Sequence, residues 1–120
     1  MKTILVVEDN PHNLKLAELI LQKGGYRVLT ATHGEQALQV AHAQHPDLVL
    51  MDMQMPGMDG LAATRALRQA PDTAAIKVLA LTALAMKGDE ERILAAGCNG
   101  YLAKPFQYQE LLDAVSSMVN

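Results

Sequence analysis

The chain has 120 residues, half of them hydrophobic and 3% aromatic, with 10 basic and 13 acidic residues and a formal net charge of -3. That length suits one domain, residues 1–120, built on an aliphatic core. The charge balance gives no electrostatic reason to expect nucleic acid or a membrane surface as partner, and no segment approaches the ~20 apolar residues of a membrane span.

Thr3–Val7 reads as a first strand. Glu8 and Asp9 cut its apolar run short, so it is no secretory signal. Asn10 is an expected N-cap and Pro11 the first residue of a helix that stops at Gly24–Gly25. Tyr26–Ala31 is the second strand. His42 and His45 fall near the end of the next helix, on a solvated face, and with His12 and His33 they show no convergence on cysteine. Asp47–Met51 is the third strand, followed by Asp52 and the loop "MQMPGMDG". Met51 is expected in the core, with Met53, Met55 and Met58 filling gaps in the loop and under the third helix. Ile76–Leu81 is the fourth strand, followed by Thr82 and Ala83. The stretch "KGDEER" places acids in the first turn of a fourth helix, where the helix dipole favours them, and Gly97 stops it. Cys98, the single cysteine, has no disulfide partner within the chain. It reads as a small buried residue in a reducing compartment, so the expected location is cytoplasmic. Gly100–Ala103 is the fifth strand, followed by Lys104 and Pro105. Leu111, Leu112, Val115, Met118 and Val119 recur at helical spacing, opposite Gln109, Glu110, Asp113 and Ser116.

Five strands alternating with five helices predict an α/β fold, a doubly wound parallel sheet covered on both faces. Parallel strands buried on both sides explain the unbroken runs "ILVV" and "LVLM". In such a sheet ligands gather outside the carboxyl ends of the strands. Glu8, Asp9, Asp52, Thr82 and Lys104 all follow strands, so three acids, a hydroxyl and an ammonium converge on one rim. Two carboxylates about 4 Å apart repel by ~1 kcal/mol in water and by ~4 kcal/mol at an effective dielectric of 20. Three together call for cations. Lys104 is one, and a hard divalent metal is the natural second. A few oxygen ligands with room for water suit Mg²⁺ better than Ca²⁺.

The motifs "VVEDN", "PDLVLMDMQMPGMDG", "LTA" and "GYLAKPF" resemble the receiver domain of two-component response regulators across the whole chain. Within that CheY-like superfamily, "AMKGDEER" resembles the DivK-like single-domain regulators. The resemblance implies strand order 2-1-3-4-5, the flavodoxin-like order for which a receiver is itself a standard example. It implies that Asp52 accepts a phosphoryl group from a phosphohistidine. Asp9 and Asp52 would bind Mg²⁺ directly, the Gln54 backbone carbonyl would be a third ligand, and Glu8 would act through water. Thr82 and Lys104 would contact the phosphoryl group, the Lys104–Pro105 peptide would be cis, and Tyr101 would be a switch residue that turns inward on activation. Gln54 and Leu84 would flank the path of hydrolytic water, and Leu84 is expected to slow loss of the phosphate. The commonest family form has aspartate where this chain has Glu8, which lengthens that arm of the metal site.

Implied partners are a sensor histidine kinase or histidine phosphotransfer protein, and a downstream protein. The only chemistry expected is the chain's own phosphorylation and dephosphorylation. Phosphoryl transfer agrees with these residue types, because it rests on positioning and on cations around a nucleophile. Two other readings fit less well. A phosphatase of haloacid-dehalogenase type needs a second aspartate where this chain has Gln54. A flavodoxin-like flavin protein must cradle a phosphate where "EDN" presents acids, and no GxGxxG or GxxxxGK[ST] motif is present.

Overall fold

The computed structural model describes residues 1–83 and 87–119, the Lys87 side chain excepted. Along the chain run β1 (Thr3–Val7), α1 (Pro11–Lys23), β2 (Arg27–Ala31), α2 (Gly34–Gln44) and β3 (Leu48–Asp52). They are followed by α3 (Gly60–Gln69), β4 (Lys77–Thr82), α4 (Lys87–Ala95), β5 (Gly100–Ala103) and α5 (Tyr108–Val119). All strand pairs are parallel and the order is β2-β1-β3-β4-β5, as expected.

The two-residue period of each strand divides its side chains between two cores. Leu5, Val7, Val49, Met51, Val78 and Ala80 face α2, α3 and α4, where Ala37, Ala41, Ala63, Leu67 and Ile93 meet them. Ile4, Val6, Leu48, Leu50, Leu79 and Leu81 face α1 and α5, against Ala17, Ile20, Leu21, Leu111 and Val115. The small helical residues on the first face let α2 and α3 lie close to the sheet, which suits the aliphatic composition. Asn10 caps α1 as predicted, its side chain accepting the Asn13 N–H at 3.0 Å.

Three strands start one residue later than the sequence suggests, and β3 and β4 also end one residue later. β2 starts at Arg27 rather than Tyr26, because the Tyr26 N–H bonds back to the Leu21 carbonyl at 3.1 Å. β4 starts at Lys77 rather than Ile76, whose N–H is held by Thr73 at 3.1 Å. β3 covers Leu48–Asp52 rather than Asp47–Met51, with the Asp47 carboxylate turned to the Thr3 N–H at 2.8 Å. At the other ends, Asp52 pairs with Leu81 and Thr82 with Ala103. Asp52 and Thr82 are therefore the last rungs of their strands, with backbones fixed by the sheet. The Lys104–Pro105 peptide is cis, as expected.

Arg68 ties the far end of the sheet together. Its guanidinium donates to the carbonyls of Gly97 (3.0 Å), Ala74 (3.1 Å) and Ile76 (2.6 Å) and to Asn99 Oδ1 (2.9 Å). Five donors in a fixed fork make arginine suited to such a multi-carbonyl clasp. Gly97 itself has φ of 111°, a left-handed turn that ends α4.

The loop after β3 is pinned where α3 begins. Asp59 caps that helix, accepting the Ala62 N–H at 2.9 Å. A β-carbon on Gly60 would press into the Asp52 carbonyl oxygen and stand 2.9 Å from Met53 Cα. Backbone cannot retreat there without moving Asp52. Gly60→Ala is expected to destabilise the fold by ~1–3 kcal/mol, as overpacking does, measured by urea denaturation. An unchanged midpoint would show that the loop yields freely.

Candidate functional site

The rim forms where β1, β3 and β5 end. Glu8 directly follows β1, its N–H held by the Ala31 carbonyl at 3.0 Å. Asp52 ends β3 and is 2% exposed, while Glu8 is 4% exposed and Asp9 lies at the surface. One carboxylate oxygen from each of the three lies within 4.8 Å of the others. Lys104 follows β5, and its N–H bonds the Thr82 carbonyl at 2.7 Å. Its ammonium stands 3.2 Å from Glu8 Oε1 and 3.3 Å from Asp52 Oδ1. Asp52 Oδ1 also accepts the Gln54 N–H at 3.1 Å.

One ammonium against three carboxylates leaves the rim short of positive charge. Burial pushes the Glu8 carboxyl up to about 7, and hydrogen bonding to and repulsion by Asp52 add to the rise, against the opposing pull of Lys104. Ionising a carboxyl this buried, beside another carboxylate, is costly without a further cation. An all-oxygen donor set with two buried carboxylates can hold a hard divalent cation. This is the fit expected of a metal site, and the residues are those singled out from the sequence.

The proton on Glu8 has a consequence for stability in chelator-treated protein. Below about 4.5 the group is protonated whether the chain is folded or unfolded, and above about 7 it is ionised in both. Between these limits the folded chain keeps a proton that the unfolded chain has lost. This contribution to stability is therefore fully present at the acid end and declines as pH rises through the window. Glu8→Gln should flatten that slope in EDTA, read as melting temperature against pH. The same slope in both proteins would locate the proton elsewhere.

The other residues singled out from the sequence are spread over the fold. Tyr101 lies on β5 with its ring at the surface, its hydroxyl donating to the Glu90 carboxylate at the start of α4. Beside Lys104, a groove of about 390 Å³ runs between α1 and the β5–α5 loop, walled by Leu16, Ala17, Ile20, Pro105 and Phe106. Cys98 is buried, with Sγ 3.7 Å from Thr64 Oγ1. Met51, Met53 and Met55 are buried, as expected. His42 and His45 stay exposed but have a partner that the sequence did not suggest, Asp72, at 2.7 and 3.8 Å. Leu84 lies outside the described residues. Nothing in the sequence signals that the Gln54 side chain reaches the residue after β4, where its Oε1 accepts the Ala83 N–H at 3.3 Å.

Among the described residues no helix is long and apolar enough to cross a membrane. Residues 4–116 match the family model of the response regulator receiver domain. The polar-differentiation response regulator DivK of Brucella ovis is 40% identical over 116 residues, covering 97% of this chain and 94% of its own. The receiver domain of sensor histidine kinase PA1611 from Pseudomonas aeruginosa, solved with a magnesium ion in its active-site cleft, is 42% identical with a TM-score of 0.91. That likeness covers 98% of this chain and 97% of the other. The chemotaxis protein CheY4 of Vibrio cholerae superposes with a TM-score of 0.94 at 30% identity, covering 98% of each chain. The sheet order, the charged rim at the strand ends and these likenesses agree, and the chain belongs to the response regulator receiver domain family.

Proposed function

We propose that Asp52 is the phosphoryl acceptor of this receiver and that Thr82 and Lys104 bind the transferred group. The observation that carries this reading is Asp52 itself, a buried carboxylate on the last rung of β3 with a lysine ammonium 3.3 Å from one oxygen. A carboxylate oxygen of Asp52 attacks phosphorus of a phosphohistidine. The P–O bond forms as the P–N bond breaks, and the imidazole leaves with its electron pair and takes up a proton. Lys104 follows the charge that spreads over the phosphoryl oxygens, and the Thr82 hydroxyl donates to one of them. Asp9, Asp52 and the Gln54 carbonyl would hold Mg²⁺, with Glu8 acting through water, and the ion would supply the remaining positive charge. The chain's own chemistry is gain and loss of this one group.

The phosphodonor is a histidine kinase or a histidine phosphotransfer protein. The groove along α1 supports that choice, because its apolar walls run up to Glu8 and Lys104 and would place a helix-borne histidine beside the acceptor. The test is intact-protein mass spectrometry after acetyl phosphate and Mg²⁺. Wild type should gain one phosphoryl group, removable by hydroxylamine, and Asp52→Asn should gain none. Equal labelling of both would refute the assignment.

The output reading rests on Tyr101. Turning its ring inward requires breaking the bond to Glu90, which frees the first turn of α4. Beryllium fluoride, a phosphoryl mimic, should shift NMR signals of Tyr101 and along α4, β5 and α5, the expected binding face for a downstream protein. Shifts confined to the rim would count against a switch at this residue.

A further inference from the structure

Gln54 reaches across the rim. Its backbone N–H bonds Asp52 Oδ1 at 3.1 Å, while its side-chain Oε1 accepts the Ala83 N–H at 3.3 Å. Ala83 is aimed by the sheet. Alternate residues of a parallel strand bond to the same neighbour. Leu81 accepts the Met53 N–H at 2.9 Å, on the β3 side, and Thr82 accepts the Lys104 N–H at 2.7 Å, on the β5 side. Ala83, two residues past Leu81, therefore turns its N–H back toward β3, just beyond the rung at which Asp52 pairs with Leu81. That is the space into which any group bonded to Asp52 must extend. The Ala83 N–H is an oxyanion donor in position, and the carboxamide oxygen of Gln54 sits on it.

We infer that the Gln54 side chain is a stand-in for a phosphoryl oxygen, competing with the incoming group for the Ala83 N–H. This rests on the phosphoacceptor reading of Asp52. The carboxamide is a neutral acceptor and therefore tolerable beside three carboxylates, where an acidic side chain would add a fourth charge. It keeps a backbone donor satisfied while Asp52 is free. Phosphorylation must expel it, and loss of the phosphate lets it return. Gln54 thereby opposes entry of the phosphoryl group by about the net strength of one neutral hydrogen bond, a factor of roughly 2 to 10 in affinity.

The experiment compares wild type with Gln54→Met, which keeps the length but loses the acceptor, and with Gln54→Ala. In Mg²⁺ buffer, titration with beryllium fluoride should show both variants binding about 2- to 10-fold tighter than wild type. In ligand-free protein, NMR should show the Ala83 amide exchanging with water faster in both variants, a readout that needs no phosphoryl chemistry. Binding that is unchanged or weaker in the variants, or unchanged Ala83 exchange, overturns the inference alone. Wild type that takes up no beryllium fluoride overturns the phosphoacceptor reading and the inference with it.

Discussion

Lys104 is the only ammonium among the described residues paired to the rim, and it stands against two buried carboxylates with a third beside them. That imbalance is the constraint on which the rest of the structure turns. Three like charges drawn this close repel by several kcal/mol wherever water is scarce. Side chains on free loops would move apart. Here Asp52 is fixed as the last rung of β3, Glu8 by the Ala31 carbonyl, and Lys104 by the Thr82 carbonyl. Gly60 lets α3 press onto the Asp52 backbone from behind. The sheet therefore sustains an arrangement that electrostatics alone would disperse, and burial, with Asp52 beside it, leaves a proton on Glu8.

The two cores give this rim two sides. By strand alternation Asp52 lies on the side of Leu48 and Leu50, facing α1 and α5, and the groove beside Lys104 opens there. Thr82 lies on the side of Val78 and Ala80, facing α4. In the proposed function one covalent event at the tip of the sheet would be delivered from the α1 side and read out on the α4 side. Neither core need be repacked, because both residues are at strand ends, where the ladder stops.

Much of this was legible in the sequence for a physical reason. Strands buried on both faces leave unbroken apolar runs, and charges set after such runs can only lie at the strand ends. Glu8, Asp9, Asp52, Thr82 and Lys104 were found that way. Strand limits slipped by one residue because carbonyls of Leu21, in the last turn of α1, and of Thr73 claim the N–H groups of Tyr26 and Ile76, and no periodicity encodes such a turn. Side-chain reach was equally hidden. The Gln54 contact to Ala83, the Tyr101 bond to Glu90 and the Arg68 bond to Asn99 each join residues at least 11 positions apart, at the ragged ends of elements. Only the assembled sheet sets those directions.

The charge imbalance is tested most directly by calorimetric titration of Mg²⁺ at pH 8, where Glu8 is ionised. One ion should bind per wild-type chain, with affinity sharply reduced in Asp9→Asn and in Asp52→Asn. A saturating ion should also raise stability, by about 2.7 kcal/mol at 100 times its dissociation constant. Binding of equal strength in wild type and both variants, or none in wild type, would contradict it.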